Sequence, residues 1–238
     1  MARKWPTYAA CALIVQSLHG CADQPAQNAA AAAQRAEQRA GRLPDQRPSA
    51  PAADARLILA FGDSLYAGYG VAQDESFPHE LEKALRARGM SVDVRNAGVS
   101  GETTQGGLQR LAFTLDGLPR KPDLVLLGLG GNDMLRGLDP AQTDRNLRAM
   151  LDMLKQRGLR VILTGMLAAP NLGPDYAARF NAIYPALARE YGVPLYPFFL
   201  DGVIGNPLFM QPDAIHPNPA GVDQIVGKIA PLVRKSLD

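Results

Sequence analysis

From Arg56 to the C-terminus, short apolar runs alternate with longer amphipathic ones, and few architectures accept that pattern. A strand that is apolar at every position needs cover on both faces. A helix between two such strands supplies both the cover and the crossover that parallel pairing requires. Leu124–Leu129 is a near-continuous aliphatic run and predicts a central strand. Leu57–Phe61 (bounded by Gly62), Ser91–Arg95, Val161–Gly165 and Val193–Tyr196 predict four more. Between them, Pro78–Arg88 predicts a helix closing at Gly89, and Thr103–Leu115 and Asp175–Tyr191 predict two others. Asp139–Gln156 has Asp139 as N-cap, Pro140 at its first position and Gly158 beyond its end, and Pro219–Leu237 closes the chain. Strands and helices in this order predict a single α/β domain with a five-stranded parallel sheet between helical layers. No internal repeat is present.

The 238 residues suffice for one such domain, 56–238, and a tail. Residues 22–55 are rich in Ala, Pro, Gln and Arg, with one leucine and no aromatic, and cannot bury enough apolar surface to offset the entropy of ordering. This segment reads as a disordered linker; an isolated Ala-rich helix around Ala29–Ala40 is compatible with the same composition. As a flexible coil its end-to-end distance would be roughly 30 Å. Ahead of it, Arg3 and Lys4 precede an apolar stretch from Tyr8 to Val15 and the small residues Gly20-Cys21-Ala22, which predicts an export signal over 1–21. The apolar stretch is too short to cross a bilayer. Leu18-His19-Gly20-Cys21 resembles a bacterial lipobox with His19 out of pattern, which would lipidate Cys21 and tether the protein to a membrane. Cleavage after Ala22 would instead release a soluble exported, periplasmic protein, and the sequence fits both.

Cys11 and Cys21 are the only cysteines, so the folded part can form neither a disulfide nor a thiolate metal site. The chain holds 25 Lys+Arg against 23 Asp+Glu; losing Arg3 and Lys4 with the signal balances them, and a neutral protein lacks the field that draws nucleic acid.

A parallel α/β sheet carries its ligand crevice at the carboxyl ends of its strands, and that is where the chemistry-bearing residues fall. Ser64 follows the first strand, Gly98 the second, Asn132 the third, Met166-Leu167 the fourth, and Asp213 and His216 come after the fifth. A serine is a poor nucleophile unless a base takes its proton. His19 leaves with the signal and His79 falls in the first turn of a helix, which leaves His216. Asp213, three residues earlier, lies on the same face of a turn and can hold its ring. The Asn132 amide and the Ser64 and Gly98 N–H groups can face a developing oxyanion. Each residue also has a plainer reading. Ser64 could cap a helix, Gly98 and Gly131 could permit positive φ, Asn132-Asp133 could make a turn, and Asp213 could cap the loop holding His216. Taken together at one sheet edge, the set points to a hydrolase.

In order and spacing, Gly62-Asp63-Ser64-Leu65, Gly98, Gly130-Gly131-Asn132-Asp133 and Asp213-Ala214-Ile215-His216 resemble the four motifs of the SGNH (GDSL-type) hydrolases across the whole folded part. Gly130–Gly137, Ala182–Pro185, Val193–Phe199 and Ile215–Asn218 resemble the periplasmic acyl-CoA thioesterase I, lysophospholipase and arylesterase group within that family. The resemblance implies a three-layer α/β/α flavodoxin-like fold, with Ser64 as nucleophile, His216 as base and Asp213 as its orienter. Ser64, Gly98 and Asn132 would form the oxyanion hole, and a mobile loop around Leu135–Leu138 would adjust to the acyl chain. The expected enzyme is a serine esterase, cleaving small esters and thioesters as a monomer without metal or cofactor. Leu135, Met166, Leu167, Leu172, Phe209 and Met210 are candidates for an acyl pocket, although each could be core. A carbohydrate or peptidoglycan O-acetylesterase would use the same site. A non-catalytic flavodoxin-like binding module fits less well, because Asp63 puts a carboxylate where a phosphate loop would lie.

Overall fold

The computed structural model describes residues 54–238. The expected signal with Cys21, and all of the expected linker except its last two residues, lie outside the described residues. Five strands form the sheet: β1 (Arg56–Gly62), β2 (Val92–Gly98), β3 (Leu124–Gly128), β4 (Val161–Thr164) and β5 (Leu195–Tyr196). The helices are α1 (Ser64–Ala67), α2 (Phe77–Arg86), α3 (Thr104–Asp116), α4 (Gly131–Leu135), α5 (Pro140–Gln156), α6 (Pro174–Asn181), α7 (Ile183–Tyr191) and α8 (Pro219–Leu237). Short 3₁₀ turns occupy Gln73–Glu75 and Pro170–Leu172.

The strands run parallel in the order β2-β1-β3-β4-β5. Leaving β1, the chain builds outward first to β2 and then back past β1 to β3, so the connections diverge between β1 and β3 and open a crevice at their carboxyl ends. Leu124, Val125, Leu126 and Leu127 are fully buried, as the aliphatic run predicts. α2 packs on α8, and α3 packs on α5, which in turn meets α6 and α7. These two groups are the helical layers that the all-apolar strands demand.

Local signals set most helix ends. Asp139 caps α5 through Ala141 N–H at 3.2 Å with Pro140 in the first turn, and Asn218 caps α8 through Gly221 N–H at 3.0 Å. Two expectations need correction. Asp175–Tyr191 is two helices, broken at Ala182, because Pro185 has no N–H to donate to the Asn181 carbonyl one turn back. β2 continues beyond Arg95 to Gly98, since Asn96, Ala97 and Gly98 stay in register with Ala60, Phe61 and Gly62 although they lack an apolar pattern.

α1 lies across the strand ends and needs bare backbone beneath it. A Cβ on Gly98 would sit 2.2 Å from the Ala67 nitrogen, and one on Gly62 would sit 2.5 Å from the Tyr66 ring. Gly98 and Gly131 do not have positive φ, so close approach rather than left-handed backbone explains Gly98. Tyr66 is buried under the strand ends, its hydroxyl 2.9 Å from Thr164 Oγ1 and its ring packed on Phe77 and Phe199.

Candidate active site

Ser64 is the first residue of α1, and the helix cap is Asp63, whose Oδ1 accepts from Leu65 N–H at 3.0 Å. The serine hydroxyl is therefore not spent on capping. Its own N–H belongs to a first turn, where no intrahelical acceptor exists. His216 Nε2 lies 2.9 Å from Ser64 Oγ, and His216 Nδ1 lies 2.6 Å from Asp213 Oδ2. With the ring proton on Nδ1 and donated to the carboxylate, Nε2 is left to take the serine proton.

The loop after β5 carries the Asp-His pair and is held in several places. Asp213 Oδ1 accepts from the Ile215 and His216 N–H groups at 2.9 and 3.0 Å. Burial raises the Asp213 pKa, but the N–H and ring of His216 and the Ile215 N–H outweigh it, and the group stays below the usual carboxylate range. The same tight turn places Ala214 at φ 56°. The Gln211 amide donates to Tyr69 O at 2.7 Å and Pro217 O at 2.9 Å, which ties the base loop to the segment following the nucleophile. The Tyr69 ring lies against the His216 imidazole, with centroids 4.5 Å apart.

On the other side of Ser64, the Asn132 amide donates to the Glu102 carbonyl at 3.0 Å and lies 3.4 Å from Asp63 Oδ2. Both contacts use the same amide nitrogen, and a substrate oxygen would compete for the hydrogen on the longer one, to Asp63 Oδ2. Gly98 N–H donates to Asn96 Oδ1 at 2.9 Å, so it must share or exchange that partner to meet a substrate oxygen. Asn132-Asp133 is not a simple turn; it lies within α4. Asp133 is fully buried and accepts from Thr104 N–H at 2.8 Å, Thr104 Oγ1 at 2.5 Å and Thr143 Oγ1 at 3.3 Å. It fixes α4 against α3 and α5 and so sets the position of Asn132.

Asp63 is only 3% exposed. Burial pushes its carboxyl up to about 7; the Leu65 N–H opposes this, the nearby Glu102 and Asp133 charges add to it, and Asn132 opposes it. The sequence reading gave this residue no role. Its signal was present, as a capping carboxylate immediately before the serine at a strand end. Among the described residues no group of three or more His, Cys, Asp or Glu side chains is placed to hold a metal ion.

The six pocket candidates are scattered. Met166 joins Asp63, Leu65, Tyr66, Gly128, Thr164 and Phe199 around a cavity of about 10 Å³, room for roughly one water. Tyr66 and Phe199 line it, and both rings pack on the buried Phe77. Met210 is buried and pairs with Pro217 in the base loop, while Leu172 and Phe209 are partly buried against the core. Leu135 and Leu167 are exposed beyond the strand ends. The segment after Asn132 is fastened by Arg136 Nη2 to Gly101 O at 2.7 Å and by Tyr176 OH to Leu138 O at 3.0 Å.

A family model described as GDSL-like Lipase/Acylhydrolase family matches residues 60–224, which carry every element of this site. The chain belongs to that family. It is 40% identical over 189 residues to an arylesterase of Vibrio mimicus, covering 79% of this chain and 94% of the relative. It is 42% identical over 188 residues to "Thioesterase 1/protease 1/lysophospholipase L1" of Escherichia coli (strain K12), covering 77% of this chain and 87% of the relative. Among solved structures it superposes on AlinE4, an SGNH-hydrolase family esterase, with a TM-score of 0.67 and 48% identity, covering 79% of this chain and 99% of the other. This GDSL-type chain is a carboxylic ester hydrolase with the α/β fold of its relatives.

Proposed function

We propose that this chain is a serine esterase that cleaves small carboxylic esters and thioesters through an acyl-serine intermediate. The observation that carries the reading is the continuous hydrogen-bonded run from Ser64 Oγ through His216 to Asp213, at 2.9 and 2.6 Å. Ser64 attacks the acyl carbon as His216 Nε2 takes its proton; the protonated ring, held by Asp213, then gives that proton to the departing alcohol or thiol. Water enters, His216 takes one of its protons as it attacks the acyl-serine, and collapse of the intermediate expels Ser64 Oγ, which takes that proton back from His216 as the acid leaves. The oxyanion formed in each half meets the Ser64 N–H, the Asn132 amide hydrogen once it turns from Asp63 Oδ2, and the Gly98 N–H once it turns from Asn96. The small volume of the cavity lined by Asp63 and Leu65 favours substrates whose acyl group lies over the open edge, flanked by Leu135 and Leu167. The named activities of the arylesterase and thioesterase relatives support esters and thioesters as the substrate classes.

The test is turnover of p-nitrophenyl esters by Ser64→Ala, compared with the parent at equal folded concentration. Loss of turnover to the uncatalysed rate is expected; retention of most of it overturns the assignment. Profiling from acetyl to palmitoyl esters separates this reading from an O-acetylesterase, which would accept acetyl alone. The basic flank at Arg3 and Lys4 and the apolar stretch after it support export, with Cys21 as the residue for a membrane tether. Intact mass of the mature chain distinguishes a lipidated Cys21 from cleavage after Ala22. No helix among the described residues is long and apolar enough to cross a membrane.

A further inference from the structure

We propose that Arg110, working through Glu102, is the positioning residue that holds the three oxyanion donors in one geometry. This rests on the assignment of Ser64, Gly98 and Asn132 above. Arg110 projects from α3, and its guanidinium lies 3.9 Å from the centre of the Phe61 ring, under the ends of β1 and β2. Its Nη2 donates to Ala97 O at 2.8 Å and to Gly62 O at 3.2 Å. Its Nε donates to both Glu102 carboxylate oxygens at 2.7 and 2.8 Å, and Nη2 pairs with Oε2 as well.

Each of these contacts leads to one donor. Ala97 C=O and Gly98 N–H belong to one planar trans peptide, so holding the carbonyl on Arg110 aims the N–H to the opposite side. A cationic donor on that carbonyl also polarises the peptide and strengthens its N–H as a donor. Gly62 is two residues before Ser64, and its carbonyl takes a second bond from Val99 N–H at 3.1 Å, so the ends of β1 and β2 are joined at the same atom. Glu102 is fixed by its carboxylate on Arg110, and its backbone carbonyl is the acceptor that orients the Asn132 amide. Nη2 alone reaches both carbonyls and Glu102 Oε2, while Nε grips the same carboxylate from a second point. A lysine ammonium has one nitrogen and cannot hold the carboxylate and both carbonyls from these two points. A stabilising ion pair needs no particular set of carbonyls, whereas this one touches the peptide before Gly98, the strand end before Ser64 and the residue that holds Asn132.

The experiment measures kcat, KM, thermal midpoint and the Ki of a trifluoromethyl ketone for the parent, Arg110→Lys, Glu102→Gln and Ser64→Ala. The ketone forms a tetrahedral oxyanion on the serine and so reports on the oxyanion hole directly. Displacing catalytic groups by about 1 Å can cost ~10²-fold. For Arg110→Lys, kcat falls on the order of 10–100-fold and Ki rises in parallel, while KM stays within a few-fold of the parent. Glu102→Gln, which keeps side-chain length and the backbone carbonyl, shows the same pattern more weakly and answers the question if Arg110→Lys does not fold. Parent-like kcat and Ki in a folded variant overturn the proposal, as does a fall in thermal midpoint with kcat and Ki unchanged. Ser64→Ala separates the two levels: if it retains activity the site assignment fails, and if it is inactive while Arg110→Lys is unaffected only the positioning role fails.

Discussion

The residues around Ser64 divide into those proposed to meet substrate and those that hold them, and Asp63 in the second group is strongly perturbed by burial. Asp63 caps α1 with a carboxylate that burial pushes up to about 7. Because this pKa is raised above its unfolded value, the unfolded chain binds fewer protons between about pH 4 and pH 7, and Asp63 subtracts stability as pH rises through that window. Asp63→Asn keeps an oxygen for Leu65 N–H and removes the titration. Its stability relative to the parent should therefore rise from pH 4 to pH 7 by about 1–4 kcal/mol, measured by urea unfolding in matched buffers. A flat difference would show that Asp63 ionises normally. The Asn132 amide belongs to the first group, and Asn132→Ala should lower kcat on the order of 10²–10³-fold with little change in KM; an unchanged kcat removes it from the oxyanion hole. Ser64, Asn132, Asp213 and His216 could be picked out in the sequence because their side chains are of the types that acyl transfer uses, and the fold brings them to neighbouring strand ends. Asp133, Glu102, Arg110 and Gln211 could not, because they act on backbone groups or buried hydroxyls brought near only by folding.

At the scale of elements, the loop after β5 is held by several side-chain hydrogen bonds. Gln211 bridges Tyr69 O and Pro217 O, and Gln211→Ala leaves both carbonyls without that donor. The expected cost is about 1–2 kcal/mol of stability, together with a lower kcat as His216 loses its register on Ser64. The thermal midpoint and kcat measured on the same preparation check both. α1 is equally constrained from below: a Gly98→Ala methyl group has no room 2.2 Å from the Ala67 nitrogen, and the variant should lose both stability and activity. Helix ends with strong local chemistry, such as Asp139-Pro140, were readable in advance, as was the aliphatic β3. The break at Ala182 was missed because an amphipathic period persists across it, while one absent N–H at Pro185 decides the backbone. The carboxyl half of β2 was missed because parallel pairing with β1, not side-chain burial, extends it.

For the whole molecule, strand order turns scattered motifs into a site. The order β2-β1-β3 puts the segments carrying Gly98, Ser64 and Asn132 side by side, and the connection from β5 returns His216 to within 2.9 Å of Ser64. The sequence predicted a parallel sheet but carried no direct record of which strands are neighbours. Every step of the proposed reaction requires Ser64 to be the residue that becomes acylated. The most direct measurement is peptide mapping by mass spectrometry after reaction with a p-nitrophenyl alkylphosphonate, followed by assay of the labelled protein. One adduct per chain is expected, on the peptide containing Ser64, with turnover lost in proportion to labelling and no adduct on Ser64→Ala. An adduct on another residue that abolishes turnover, or full labelling of Ser64 with turnover intact, would contradict it.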